Sequence, residues 1–86
     1  MLHLGILAST KGTDMQAIID AINSKKLNAT ISVVVSNKQD AYALDRARNN
    51  NIKAVYVDSK GKDREKYDKE VAKVLDEKKV DLILLI

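Results

Sequence analysis

Residues 2–22 read LHLGILASTKGTDMQAIIDAI, and this stretch decides the fold. The apolar run over Leu2–Ala8 is typical of a buried strand. A polar loop follows, and four apolar residues then recur at i, i+3, i+4 and i+7, which marks one face of a helix. These four are Met15, Ile18, Ile19 and Ile22. The pattern predicts a strand, a short loop and a helix that begins just after Gly12, which is the repeating unit of a parallel α/β sheet.

The same alternation of strand and helix continues to the end of the chain. The further predicted elements are a strand over Ala29–Val35, a helix over Asp40–Asn50, a strand over Ile52–Val57, a helix capped by Asp63 and a strand over Val80–Ile86. Right-handed crossovers turn the order βαβαβαβ into a parallel sheet with helices on both faces. We therefore expect one Rossmann-like domain over residues 1–86, with three αβα layers and strand order 3-2-1-4.

The composition excludes several classes of protein and site. The 86 residues are 45% hydrophobic and 31% charged, with a net charge of +3 and both signs mixed along the chain. No apolar run reaches the roughly 18 residues of a membrane span. The absence of cysteine, a single histidine and only three aromatic residues, all tyrosine, count against disulfides, metal sites and base stacking. We expect a cytoplasmic protein without metal, nucleic acid or membrane partners.

The loop between the first strand and the first helix is the strongest candidate site. Its backbone N–H groups lie at the positive end of a helix dipole, which is suited to an anion such as phosphate. Gly12 lets the backbone approach the ligand closely, Thr13 can donate from its hydroxyl and its N–H, and Lys11 adds positive charge. The spacing equally fits an ordinary βα loop in which Thr13 caps the helix. The residue types alone leave both interpretations open.

Other motifs favour no more specific chemistry. The chain has no G-x-G-x-x-G dinucleotide motif and no Walker-type phosphate loop. The cluster at 36–38, Ser-Asn-Lys, follows the second strand and is either a ligand rim or a turn in which Ser36 or Asn37 can cap the second helix. Arg64 begins the third helix, where a cation is locally unfavourable and a ligand contact is an alternative role. His3 is interpreted as a structural residue, and Arg46 and Arg48 as residues of a solvated helix face.

Four segments resemble the phosphoribosylglycinamide formyltransferase family. Residues 7–21 are similar to its opening S-G-x-G-[ST]-N-L-Q-A-I-I-D, and residues 35–47 to V-x-S-N-K-x-D-A-x-x-L-x-R-A. Residues 63–68 resemble [DS]-R-E-x-[YF]-D, and residues 80–85 resemble the strand before A-G-[FY]-M-[RK]-I-L. The four motifs occur in the family's order and together cover essentially the whole chain.

The resemblance implies an activity and a set of site residues. Members of the family transfer a formyl group from 10-formyltetrahydrofolate to the primary amine of glycinamide ribonucleotide in purine biosynthesis, without a metal or redox cofactor. Carried across, phosphate binding falls on Gly12, Thr13 and Asp14, and Arg64 matches an arginine near the substrate and folate cleft. Asp14 stands where the family usually has Asn, so a phosphate contact from its backbone N–H is expected. Thr10 replaces the first loop glycine, which makes the turn less permissive.

The last predicted strand leads to an expectation about completeness. Val80–Ile86 is the most hydrophobic stretch of the chain, whereas termini are usually exposed and polar. The family's catalytic Asn, His and Asp and its folate-binding segment lie in the half that follows the resemblance. We therefore expect the N-terminal, ribonucleotide-binding part of a formyltransferase, inactive alone, with strand 80–86 as a candidate surface for self-association. The alternative is a stand-alone module that binds phosphorylated metabolites without catalysis.

Overall fold

The computed structural model describes residues 1–8 and 13–86, and its elements alternate as the sequence predicts. They are β1 (Leu2–Leu7), α1 (Thr13–Asn23), β2 (Ala29–Ser36), α2 (Tyr42–Asn49), β3 (Ala54–Tyr56), α3 (Arg64–Glu77) and β4 (Leu82–Leu85). The predicted start of α1 just after Gly12 is confirmed. The second helix begins later than predicted because Ala41 is extended, with φ −63° and ψ 131°. The third strand is shorter because only three of its residues pair with β2.

The four strands form one parallel sheet in the order β3-β2-β1-β4, which confirms the predicted order. The pairing of β1 with β2 shifts register between Leu4 and Gly5, whose partners are Ile31 and Val33. Ser32 is therefore an extra residue that changes which face the following side chains occupy. After it, Val33–Val35 are all buried, because helices cover the sheet on both sides.

Two apolar cores lie on opposite faces of the sheet, so the predicted three layers are confirmed. The first core packs α1 and α2 against β1 and β2, and its fully buried side chains include Ile6, Met15 and Leu44. The second packs α3 against the other face through Val71 and Leu75, which contact the cluster of Val33 and Val35.

The ends of the helices show which predicted caps form. Asp63 caps α3 as predicted, because its carboxylate accepts a hydrogen bond from the Lys66 N–H at 2.8 Å. The prediction that residue 36 or 37 caps α2 is wrong: Ala41 occupies the cap position and no side chain bonds there. Asn51 adopts a left-handed conformation with φ 58° just after α2, as asparagine tolerates at helix ends.

Candidate functional site

The carboxyl ends of β1, β2 and β4 lie side by side. The Ala8 N–H donates to the Val35 carbonyl at 3.0 Å, and the Ile86 N–H donates to the Leu7 carbonyl at 2.9 Å. Strand β1 leads to β2 on one side and has β4 on the other, so this is the point where the strand order reverses. In open parallel sheets, ligands bind outside the strands at such a point.

A cleft of about 360 Å³ opens at this edge of the sheet. The ends of all three strands contribute to its wall, together with one side chain from α3. Its lining residues are Leu7, Ala8, Val35, Ser36, Asn37, Tyr67, Leu85 and Ile86. Because most of these side chains are apolar, the cleft offers a hydrophobic surface beside the positive end of α1.

Helix α1 begins at this edge, so its first turn supplies backbone donors to the site. The N–H groups of the first three helical residues, 13–15, have no partner within a helix. Of the three predicted phosphate-binding residues, Gly12 lies outside the described residues, and Thr13 is described only as the first residue of α1. Asp14 is exposed in the first turn, where its negative charge interacts favourably with the positive end of the helix dipole. An anion bound at the N–H groups would meet that same negative charge.

Arg64 lies on the rim of the site, at the start of α3. Its side chain is 94% exposed, and its Nε lies 3.8 Å from a carboxylate oxygen of Asp68. An exposed ion pair of this kind holds an arginine only weakly. Arg64 lines a groove of about 370 Å³ that shares Asn37 and Tyr67 with the cleft. The structure therefore brings an exposed positive charge to the edge of the strand-end cleft.

Tyr67 connects the groove and the cleft. Burial raises the pKa of the Tyr67 phenol above its usual value, and the negative charge of Asp68 raises it further, whereas Lys62 opposes the shift. The phenol is therefore neutral at physiological pH and can donate a hydrogen bond. Lys62, which lies just before α3, forms an ion pair with Glu70 of α3. This ion pair connects the turn before α3 to the helix. In the sequence, Tyr67 falls on the apolar side of the third helix, and helical periodicity alone does not predict that it reaches the cleft.

The polar cluster at 36–38 divides into a structural and a surface part. Ser36 is buried, and its hydroxyl accepts a hydrogen bond from the Lys38 N–H at 3.1 Å. Asn37 is half-buried and lines both the cleft and the groove. Of the two interpretations that the sequence left open, the rim interpretation fits Asn37, and the turn explains Ser36.

Arg46 does not lie on a solvated face, so that interpretation is wrong. Its side chain is half-buried, and its guanidinium donates to the Gln16 side-chain oxygen at 3.1 Å. Gln16 belongs to the first turn of α1, and its amide nitrogen also donates to Asp20 at 3.1 Å. In the sequence, the one sign that Arg46 has a specific role is its place in the family-like motif of residues 35–47. Helical periodicity gives the direction of a side chain but does not show which residue of another element it contacts.

His3 lies at the opposite end of the sheet, as predicted for a structural residue. Its backbone N–H donates to the Asp81 carboxylate at 2.8 Å, and its ring nitrogen Nδ1 lies 4.0 Å from the same oxygen. The Asp81 N–H in turn donates to the His3 carbonyl at 2.7 Å. The pair joins the beginnings of β1 and β4, far from the cleft.

Within residues 1–8 and 13–86, no cluster of three or more acidic, histidine or cysteine side chains could hold a metal ion. None of the helices in these ranges has the length and apolar character needed to cross a membrane.

Comparison with known proteins places the chain among formyl transferases. The sequence model of that family matches residues 3–86. The chain is 44% identical to the phosphoribosylglycinamide formyltransferase of Dictyostelium discoideum over 92 residues, covering 96% of this chain and 45% of that protein. It is 36% identical to the Escherichia coli enzyme of the same name, covering 98% of this chain and 40% of that protein. The chain thus spans less than half the length of these relatives.

Solved structures agree with the sequence relatives. The crystal structure of glycinamide ribonucleotide transformylase 1 from Symbiobacterium toebii superposes with a TM-score of 0.94 at 35% identity. The superposition covers 99% of this chain and 41% of that protein. The four-stranded sheet with its three helices is therefore an arrangement that a larger transformylase structure also contains.

Proposed function

The chain belongs to the formyl transferase family, and on that premise we propose that residues 1–86 form the ribonucleotide-binding part of a phosphoribosylglycinamide formyltransferase. Such an enzyme acts in purine biosynthesis, and the proposed location of this protein is the cytoplasm. The observation that carries it is the start of α1 at the strand-order reversal, inside the family match. A phosphate group there would accept hydrogen bonds from the backbone N–H groups at Thr13 and Asp14, as expected at a helix N-terminus.

The reaction of the whole enzyme sets what this part has to do. The bond between the formyl carbon and N10 of 10-formyltetrahydrofolate breaks as an amide bond forms to the substrate amine; the amine loses a proton, and N10 gains one to give tetrahydrofolate. We propose that the folate-binding and catalytic residues belong to the portion of the relatives that this chain does not match. The chain's own residues then bind and orient the ribonucleotide, with its phosphate at α1 and the rest of the molecule directed along the cleft.

The described residues suit the two substrates on chemical grounds. The cleft is largely apolar around Leu85 and Ile86, which suits a planar ring system. Arg64 on the rim supplies a guanidinium for a carboxylate or phosphate of a substrate. Asn37 and the neutral Tyr67 phenol are polar groups that can direct a ligand between the two surfaces. No metal enters the proposed chemistry.

The proposal predicts phosphate-dependent binding by the 86-residue chain. Titration calorimetry should detect glycinamide ribonucleotide, and the dephosphorylated nucleoside should bind at least about tenfold more weakly, because charge-assisted hydrogen bonds are lost. Formyl transfer from 10-formyltetrahydrofolate should be undetectable. Equal affinity for the two ligands would contradict the phosphate site, and turnover by the isolated chain would contradict the proposed division of roles.

A variant of Asp14 separates the phosphate site from general binding. Asp14→Asn removes a negative charge beside the proposed phosphate and should tighten ribonucleotide binding by about twofold to fivefold, while slightly lowering the melting temperature through the helix dipole. Asp76→Asn makes the same change at an exposed position near the end of α3 and should leave the affinity unchanged. If both variants bind alike, the phosphate does not lie at the first turn of α1.

We further propose that the open edge of β4 pairs with a second copy of this chain. Strand β4 is an edge of the sheet, and Leu82, Ile83 and Leu85 are 46%, 48% and 79% exposed. Exposed apolar edge strands are templates for pairing with another chain. In sedimentation experiments the average mass should rise with concentration, and Leu85→Lys should hold the chain monomeric.

The control for this experiment is a lysine placed elsewhere on an exposed apolar side chain. Tyr42 is 65% exposed on α2, away from the strand edge, so Tyr42→Lys should associate like the unmodified chain. A constant monomeric mass for the unmodified chain at all concentrations would overturn the edge-pairing proposal.

A further inference from the structure

We propose that Arg46 is a positioning residue for the phosphate-binding turn of α1, acting through the side chain of Gln16. The inference rests on the proposed function, because it takes the first turn of α1 as the phosphate site. It assigns a role to an arginine that is not one of the proposed phosphate-binding residues. Its basis is the hydrogen bond of 3.1 Å from the Arg46 guanidinium to the Gln16 side-chain oxygen.

Gln16 is placed where it can control the donors of α1. It is the fourth helical residue, so it directly follows residues 13–15, whose backbone N–H groups lack an intrahelical partner. Both polar atoms of its amide group are hydrogen-bonded: the oxygen accepts from Arg46, and the nitrogen donates to Asp20 one turn further along α1 at 3.1 Å. An amide held through both atoms resists rotation, and the helical turn that carries it is restrained with it.

Arg46 is anchored firmly enough to serve as the fixed end of this contact. It lies in the last turn of α2, where its charge favours the helix dipole, and its carbonyl accepts a hydrogen bond from the Asn50 side chain at 2.8 Å. The neighbouring Leu44 and Ala47 are fully buried against the sheet. Because α2 is fixed to the core in this way, the Arg46 guanidinium holds Gln16, and with it the start of α1, in a defined position relative to the core.

The contact joins α1 and α2 at the first turn of α1. Both helices belong to one apolar core on the sheet, and the hydrogen bond between Arg46 and Gln16 adds a polar link that spans 30 positions of the sequence. Met15 buries one side of the first turn, whereas Asp14 and Ala17 are exposed, so packing holds only the inner side of this turn. Hydrogen-bond donors need accurate placement to hold an oxyanion, and this bond supplies a restraint at the required turn.

The test is the binding of glycinamide ribonucleotide to the 86-residue chain by titration calorimetry. Arg46→Gln should weaken binding by about tenfold, the scale of one charge-assisted hydrogen bond. Arg48→Gln is the matched control, because Arg48 lies on the same helix but is exposed and pairs only with Asp45 among the contacts described; it should bind like the unmodified chain. Arg46→Lys keeps a donor and should recover most of the affinity.

A double-mutant cycle shows whether Arg46 acts through Gln16. Gln16→Ala alone should weaken binding to a similar extent, and Arg46→Gln should then cause little additional loss. Fully additive losses would mean that the arginine charge attracts the phosphate directly, which overturns the positioning role. Binding by Arg46→Gln as tight as by Arg48→Gln would also overturn it.

A measurement without ligand separates this inference from the proposed function. The Ala17 N–H closes the first turn of α1 on the carbonyl of Thr13, and its exchange with solvent should become several-fold faster in Arg46→Gln than in Arg48→Gln if the first turn is released. If the unmodified chain binds no ribonucleotide, the proposed function fails and the role in phosphate binding fails with it. If the chain binds but neither affinity nor exchange responds to Arg46→Gln, only the positioning inference fails.

Discussion

Replacing Ile6 by alanine should lower the free energy of unfolding by about 2–5 kcal/mol. Ile6 is fully buried in the central strand β1, where it pairs with Val34 on one side and Leu84 on the other. Alanine would remove three carbons at the centre of the core beneath α1 and α2 and leave a cavity that β-strands on both sides prevent from closing. Since a small domain is stable by only about 5–15 kcal/mol, this loss takes a large share of the total.

Two comparison variants make the Ile6 prediction quantitative. Ile6→Val removes a single methylene and should cost about 0.5–1.5 kcal/mol. Leu85→Ala removes a side chain of similar size that is 79% exposed, and it should leave stability nearly unchanged. The measurement is denaturant unfolding with a common slope for all variants. A loss for Ile6→Ala no larger than that for Ile6→Val would show that the site collapses and that the core is not packed as described.

Gly5→Val should destabilise the chain by about 3 kcal/mol for the opposite reason, because it inserts atoms where there is no room. A Cβ at Gly5 would lie 2.8 Å from Cδ2 of Leu75 and 3.0 Å from both γ-carbons of Val80. The Leu75 methyl can swing aside, but Val80 is branched at Cβ and has few alternative rotamers. Glycine is needed here for the close approach of α3 and the segment before β4 to β1.

Smaller substitutions test that explanation for Gly5. Gly5→Ala should be less damaging than valine, and combining it with Val80→Ala should recover part of the loss, because the second change makes the space that the first requires. Denaturant midpoints for the single and double variants give the coupling. Additive losses in the double variant would contradict a steric conflict between Gly5 and Val80.

The Gly5 contact also matters for the candidate site. Helix α3 carries Arg64 and Tyr67 to the groove and cleft, and Leu75 of the same helix packs over Gly5. A side chain at Gly5 would push α3 outward and displace the rim from the strand ends. The glycine in β1 therefore links the packing of the sheet to the width of the site.

The fold class could be predicted from the sequence because it depends on local patterns that repeat. A chain of alternating apolar strands and amphipathic helices forms a parallel sheet with right-handed crossovers, and this fixed handedness leaves only a few possible topologies. The predicted order 3-2-1-4, the start of α1 after Gly12 and the Asp63 cap all follow from such local rules and are confirmed. The predicted cap of α2 failed because Ser36 instead bonds within its own turn.

The sequence predicts where the candidate site lies but not how its side chains come together. The strand–loop–helix pattern and the family-like motifs point to the first turn of α1 and to Arg64. They did not show that Tyr67 reaches the ends of the strands, or that Arg46 reaches Gln16, because these pairs are distant in the chain and meet only after the helices dock. The position of a residue in the helical repeat defines which side of the helix its side chain occupies. The residue that this side chain contacts depends on where a second helix or strand is placed.

A parallel α/β domain, its strand order and its likeness to formyl transferases can be read from the amino-acid sequence, because periodicity, caps and short motifs are local properties. The side chains that form the rim of the cleft, the glycine that permits the approach of α3 and the contact between α1 and α2 become visible only in the folded chain. Those features depend on distances of a few ångströms between elements far apart in the chain. Such distances are set by how two cores pack on one sheet, which no local pattern records.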